Sequence, residues 1–171
     1  MKIQAWPLLL LCAFSLTSCS IFTSSTSTSI RLPHQFLASN QALNFDLINE
    51  DPFVYRLNSA QPDRPPEFLT VLSDCSKAHR KLSAEATTRQ LLVGLRNLVR
   101  LKQEQLEMDG LEVAISYLTA DLEGTPLALS CYTFRSGSCI IDAVTWHRTD
   151  QGKAEATTAF NLTPLFQLQS E

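Results

Sequence analysis

The segment Leu43-Asn44-Phe45-Asp46-Leu47-Ile48 alternates apolar with polar positions, which is the period of a strand with one buried face. Phe53-Val54-Tyr55-Arg56-Leu57 repeats that signal after Asp51-Pro52, and Phe68-Leu69-Thr70-Val71-Leu72 gives a third extended run. Between them, residues 58–66 carry Pro62, Pro65 and Pro66, so that stretch cannot continue a central strand and is expected to be an exposed loop. The period then changes. Leu91, Leu92, Leu95, Leu98 and Val99 recur at helical spacing, and Ser83 is a suitable N-cap, which predicts a principal helix over 83–99 with Arg89, Arg96 and Arg100 on its polar face. Val113, Ile115 and Tyr117 return to alternation. Glu123-Gly124 offers a tight turn into Leu127 to Phe134, and the turn Arg135 to Ser138 leads into Cys139 to Trp146. Three strands joined by short turns form an antiparallel meander. After Gln151-Gly152, Ala154 to Phe160 favours a short terminal helix that Asn161-Leu162-Thr163-Pro164 ends. The expected fold is α/β in the α+β sense: a twisted antiparallel meander packed against helices.

The N-terminus follows a different logic. Lys2 supplies a positive charge, Leu8 to Phe14 an apolar core, and Leu16-Thr17-Ser18-Cys19 closes the run with small polar residues before a cysteine. This resembles the lipobox of bacterial lipoproteins. The apolar run falls short of the roughly 20 residues that a spanning helix requires. The resemblance implies that residues 1–18 are a signal peptide and that Cys19 becomes the acylated N-terminal residue. An ordinary secretory signal cleaved near Ala13 is the alternative. Several acyl chains on one residue hold a domain on a bilayer almost permanently, since each buried methylene contributes about 0.8 kcal/mol. Lipoprotein sorting retains chains with Asp after the cysteine in the inner membrane. Ser20 occupies that position here, so an outer-membrane location facing the periplasm is expected. Residues 19–32, rich in Ser and Thr, read as a lipidated tether, and a single domain is expected over 33–171.

Composition narrows the function classes. The chain has 171 residues with 14 Lys and Arg against 17 Asp and Glu, a formal charge of −3, and loss of Lys2 makes the mature protein one unit more acidic. That length suffices for one core, and that charge gives no basic stripe for nucleic acid. Of the five cysteines, Cys12 leaves with the signal and Cys19 is acylated, so Cys75, Cys131 and Cys139 face an oxidising envelope. Cys131 sits within the apolar run Leu127 to Tyr132 and is expected to remain a buried thiol. Cys75 and Cys139 lie at the margins of predicted elements, where a disulfide would staple the helical layer to the sheet. Cys131 with Cys139 is the rival pairing. A four-residue turn that sets Phe134 opposite Cys139 puts those two thiols on opposite faces, whereas a three-residue turn puts them on the same face.

The stretch from Leu111 to Trp146, with its strand, Leu122-Glu123-Gly124-Thr125-Pro126 turn, strand, Gly137-Ser138-Cys139 turn and strand, resembles the central meander of Mog1/PsbP-like domains. Ala154 to Phe160 sits where that fold places a C-terminal helix. With Cys75 ahead of the Leu-rich segment, the chain is similar to a family of uncharacterised bacterial lipoproteins. That family has an aspartate-glycine turn and a glycine-cysteine-valine-tyrosine-aspartate run, whereas this chain has Glu123 at the turn and Ile140-Ile141-Asp142 after the cysteine. The resemblance covers roughly 100 residues and implies a fold and an envelope location without an activity.

Catalytic chemistry is sparse. Cys75 and His79 would share one helix face as a nucleophile with its base or as two metal ligands, but no third zinc ligand is near and an oxidised Cys75 could serve neither role. His147 falls at a strand end and His34 in the first segment of the domain. The mature chain contains no glycine-rich phosphate loop, GxSxG, HExxH or paired CxxC motif, so no enzyme activity, cofactor or metal is expected. The expected role is that of a lipid-anchored interaction module, docking on another envelope protein through a sheet face or edge in envelope assembly or transport. The alternative is a small-ligand or lipid-binding lipoprotein with an apolar pocket between the helix Leu91 to Val99 and the sheet. Protein extracted from its native membrane should show an intact mass beginning at residue 19 plus acyl groups. Cys19→Ser should abolish that mass, and a soluble, unacylated product from the unaltered chain would remove the lipobox reading.

Overall fold

A computed structural model describes residues 27–58, 65–76, 92, 94–149 and 160–168. The expected signal peptide (residues 1–18), Cys19, His79, Ser83, Arg89 and, of the expected terminal helix Ala154 to Phe160, all but Phe160 lie outside them. Eight strands make one antiparallel sheet: β1 (Thr28–Ser29), β2 (Asn44–Glu50), β3 (Phe53–Asn58), β4 (Glu67–Asp74), β5 (Arg96–Met108), β6 (Leu111–Leu122), β7 (Thr125–Ser136) and β8 (Cys139–Arg148). Two short helices accompany them, α1 (His34–Ser39) and α2 (Thr163–Phe166). The spatial order is β2-β3-β4-β8-β7-β6-β5, with β1 beside β4.

This corrects the expected α/β class. Of the described residues 64% are strand and 9% helix, so the fold is all-β. The decisive segment is 96–108. Arg96 to Val99, expected to end the principal helix, begin β5, and that strand runs 13 residues. Leu and Arg at three- and four-residue spacing satisfy a helical pattern, yet pairing along the length of β6 overrides that local preference. The first residues of the domain also shift. Thr28 and Ser29, expected in the tether, pair with Ser73 and Leu72, Ile30 donates its N–H to the Val71 carbonyl at 3.0 Å, and Leu32 is buried. Ser and Thr fit a strand as readily as a spacer, because the ladder uses only backbone. At the other end, Thr163–Phe166, expected to lie beyond the terminal helix, is itself helical, and Pro164 in the first turn lacks an N–H that would go unpaired there anyway.

The meander is set by its turns. Met108 faces Leu111 across Asp109-Gly110, and Leu122 faces Thr125 across Glu123-Gly124. All four turn residues have positive φ, as two-residue hairpin loops require. Ser136 faces Cys139 across Gly137-Ser138, two residues tighter than the loop expected, and the parity is unchanged: Cys131 opposes Val144 on one face while Cys139 is on the other.

The core lies on the face that holds Tyr55, Leu69, Val71, Val113, Phe134 and Ile141. Phe36 from α1 and Leu165 from α2 close over it, both fully buried. Phe36 packs on Phe45 and Phe160 with ring centroids 5.9 and 6.3 Å apart, and Phe166 meets Phe134 edge-on at 4.7 Å. Buried Asn40, just after α1, ties that helix to the segment that leads into α2. Its amide donates to the Phe36 carbonyl at 2.8 Å and to the Asn161 carbonyl at 3.2 Å, and its Oδ1 accepts from the Asn161 N–H at 2.9 Å. The opposite face carries a second cluster of Leu92, Leu118, Leu127, Leu129, Cys131 and Val144. Burial on both faces explains why β7 and β8 read as nearly continuous apolar runs.

Cys75 and Cys139 are joined in a disulfide with Cα atoms 4.0 Å apart. The β4 to β8 register runs from Phe68 opposite Trp146 to Asp74 opposite Ile140, so the two cysteines stand as its next rung. The bridge links neighbouring strands of one sheet, not a helical layer to a sheet. It spans 64 residues, and a closed loop of that size stabilises by about 4 kcal/mol through the unfolded chain. Urea denaturation with and without reductant should show a loss of that order, and an unchanged midpoint would show that the β4 to β8 ladder holds without it.

Candidate functional site

The described sheet has two outer edges. At β2 the edge is short, seven residues, interrupted by a bulge at Ile48 and bearing Asp46 and Glu50. Such features discourage pairing with another chain. The β5 edge is different. All 13 of its residues are exposed or half-buried, and Leu98, Val99, Leu101 and Leu106 each leave 45–53% of their surface in solvent. Among the described residues β5 pairs only with β6, so its other side is an outer edge of the described sheet, and such an edge presents backbone groups with which a further strand can pair.

Side-chain direction along β5 follows from its register. Val99 faces Thr119, Lys102 faces Tyr117, Glu104 faces Ile115 and Leu106 faces Val113. The irregularity at Leu101, between Arg100 opposite Leu118 and Lys102 opposite Tyr117, inserts one residue. Val99, Lys102, Glu104, Leu106 and Met108 therefore share the core side of the sheet, while Arg100, Gln103, Gln105 and Glu107 share the other. Charge is divided along the strand as well: Arg96, Arg100 and Lys102 lie in its first half, Glu104 and Glu107 in its second. Lys102 and Glu104 form an ion pair, and the Lys102 ammonium lies 5.9 Å from the centre of the Tyr117 ring. The Tyr117 hydroxyl donates to Glu104 at 3.4 Å. Lys102 is raised in pKa by the Glu104 carboxylate, through the hydrogen bond first and the charge second.

Sequence reasoning missed this edge because Leu, Arg, Lys, Gln and Glu are helix-favouring residues. The signal that marks it is Asp109-Gly110 directly before the Leu111 strand, a strong hairpin dipeptide that demands a preceding strand as partner.

Of the cysteines and histidines singled out above, those among the described residues do not converge on one catalytic or metal site. Cys75 and Cys139 are bonded to each other, and Cys131 is a buried free thiol whose pKa burial pushes up to about 12, with the Asp142 charge adding to it. A thiol so held is a poor nucleophile. His34 opens α1, exposed, and His147 stands opposite Ala128 near the end of β8. No group of three His, Cys, Asp or Glu side chains among the described residues is placed to hold a metal ion, and no helix there is long and apolar enough to cross a membrane.

A buried polar pair occupies the face opposite the core. Asp142 is 6% exposed and accepts a 2.6 Å hydrogen bond from the Thr133 hydroxyl. The same face carries the fully buried Cys131 and, beyond it on β6, the buried Ser116, whose hydroxyl has no hydrogen-bond partner among the described residues. Burial raises the Asp142 pKa to about 7; the Thr133 hydrogen bond opposes the shift, and the Asp74 charge adds to it. Near neutrality the carboxyl is poised between its acid and its anion.

No family model matches the chain, and no curated protein matches it. A protein of unknown function from Pseudomonas aeruginosa, PA94, has a similar crystal structure: 16% identity, TM-score 0.46, covering 71% of this chain and 82% of its own. A likeness of that extent assigns no role.

The Asp142 carboxyl holds its proton in the folded state up to about pH 7, while in the unfolded chain it ionises near pH 4. The folded state thus binds more protons between those values, and the contribution of Asp142 to stability falls as pH rises through this window, then levels off. The expected loss is on the order of 4 kcal/mol. Asp142→Asn, which keeps a polar group of the same size, should gain stability relative to the unaltered protein from pH 4 to pH 8. Parallel stability curves for the two proteins across that range would refute the shifted carboxyl.

Proposed function

We propose that this protein is a lipid-anchored envelope component, held through Cys19, that acts as a protein-interaction module in envelope assembly or transport with β5 as its contact edge. The observation that carries the reading is the contrast between the two outer strands: β2 is short, bulged and acidic, whereas β5 is 13 residues long and exposes four large apolar side chains. Natural sheets suppress an edge of that kind unless it is used. Backbone pairing supplies affinity in such a contact, and the alternating side chains supply selectivity. In the segment Leu91 to Val99, which the ligand-pocket alternative invokes as a helix, Arg96 to Val99 are strand and belong to β5.

The test is photo-crosslinking in the native envelope from two positions, Gln105 on β5 and Ile48 on β2, both exposed. A discrete protein adduct from Gln105 and none from Ile48 is the expected result. Absence of any adduct at Gln105, or equal yields from both edges, would overturn β5 as the contact edge.

A further inference from the structure

The division of charge along β5 selects a partner. We infer that the strand which pairs with β5 is β5 of a second copy of this chain, joined antiparallel about a two-fold axis at Gln103, so that the two sheets continue into one. This rests on the reading of β5 as the contact edge and names its occupant.

An antiparallel pairing of identical strands brings the first half of one against the second half of the other. In β5 that places the basic half, Arg96, Arg100 and Lys102, against the acidic half, Glu104 and Glu107. With the axis at Gln103, Lys102 of each copy faces Glu104 of the other on the core side. The two intrachain Lys102 to Glu104 pairs then merge into a square of alternating charge. One residue inserted at Leu101, as it already is against β6, sets Arg100 opposite Gln105 and Val99 opposite Leu106. Val99 and Leu106, at 53% and 46% exposure, cover each other twice over. Moving the axis one residue along, to Glu104, sets two glutamates face to face. Moving it back to Lys102 sets two lysines face to face. Among these neighbouring registers, Gln103 alone keeps like charges apart. A two-fold contact of this kind is closed, because it consumes the edge it uses, and β2 is not suited to extend the sheet from the far side.

The bulges at residues 97–98 and at Leu101, and Lys102 itself, are devices that also serve to blunt an edge. They do not account for the exposed apolar side chains, nor for the straight run Lys102 to Met108 opposite β6.

The experiment is disulfide trapping of the full chain in its native membrane. Gln103→Cys should give a covalent dimer rapidly on mild oxidation, since residues facing each other in an antiparallel pair have Cα atoms about 4.5–5.5 Å apart. Glu107→Cys should not, because its two copies would stand roughly 27 Å apart along the strands. Placing Lys102→Glu or Glu104→Lys in the Gln103→Cys background should each reduce the covalent dimer about tenfold. The two altered chains mixed together should recover it, because each then meets opposite charge across the axis. A chain that had merely lost its fold would not recover on mixing. Equal trapping at 103 and 107, or no trapping at 103, overturns the two-fold pairing. If Gln103→Cys stays monomeric while Gln105 crosslinks to a different protein, the second copy is refuted and the contact edge stands. If neither reacts, both are refuted.

Discussion

The antiparallel ladder between β4 and β8 is the joint on which the rest of the structure depends. Among the described residues it is where the N-terminal strands meet the C-terminal meander within the sheet, and it is reinforced along its length. Phe68 stacks on Trp146 at one end with ring centroids 4.2 Å apart, Leu69 and Val71 sit in the core in the middle, and the Cys75 to Cys139 bridge closes the far end. Each face of the sheet can be continuous only because these strands stay in register. A slip of one residue would either turn Leu69 and Val71 of β4 away from the core or bring Asp142 of β8 to the core side.

That joint also explains the placement of the less regular parts. Short β1 lies along β4 beyond the point where β3 ends, so the chain enters the domain by completing an edge that would otherwise be open. The helices α1 and α2 cover the core face from the two ends of the chain, joined through Asn40 and Asn161. The Ser136 hydroxyl, at the end of β7, lies against the carbonyls of Phe166 and Leu168, fastening α2 to the meander. Polar groups buried this deeply fix an orientation that apolar packing alone leaves free.

Much of the strand structure was legible. Alternation at Leu43 to Ile48 and Phe53 to Leu57, and the turns at Glu123-Gly124 and Gly137-Ser138, correspond to β2, β3 and the hairpins of the meander. These signals are local, so one sequence suffices to read them. The strand β5 was not legible, because its leucines also suit a helix and its polar stretch Lys102 to Gln105 has low strand preference; only pairing with β6 decides its form. The contact edge was hidden with it, since an edge is a property of topology and not of any residue. The thiol parity at Cys131 and Cys139 could be read from alternation alone, although the loop proved shorter than expected.

The β4 to β8 ladder joins positions about seventy residues apart, while nearly every other pairing in the sheet is between strands that follow each other directly in the chain. Within the described sheet, two locally determined stacks of hairpins are therefore joined by a distant closure between β4 and β8. Local pairs form early, and the long loop makes this one late. In a chain that emerges from its N-terminus, β4 is complete long before β8 exists. Throughout that interval, the inner edge of β4, with Leu69 and Val71 beside it, is a bare template that any extended chain can occupy. Timing, as much as final stability, then decides whether this sheet closes on itself.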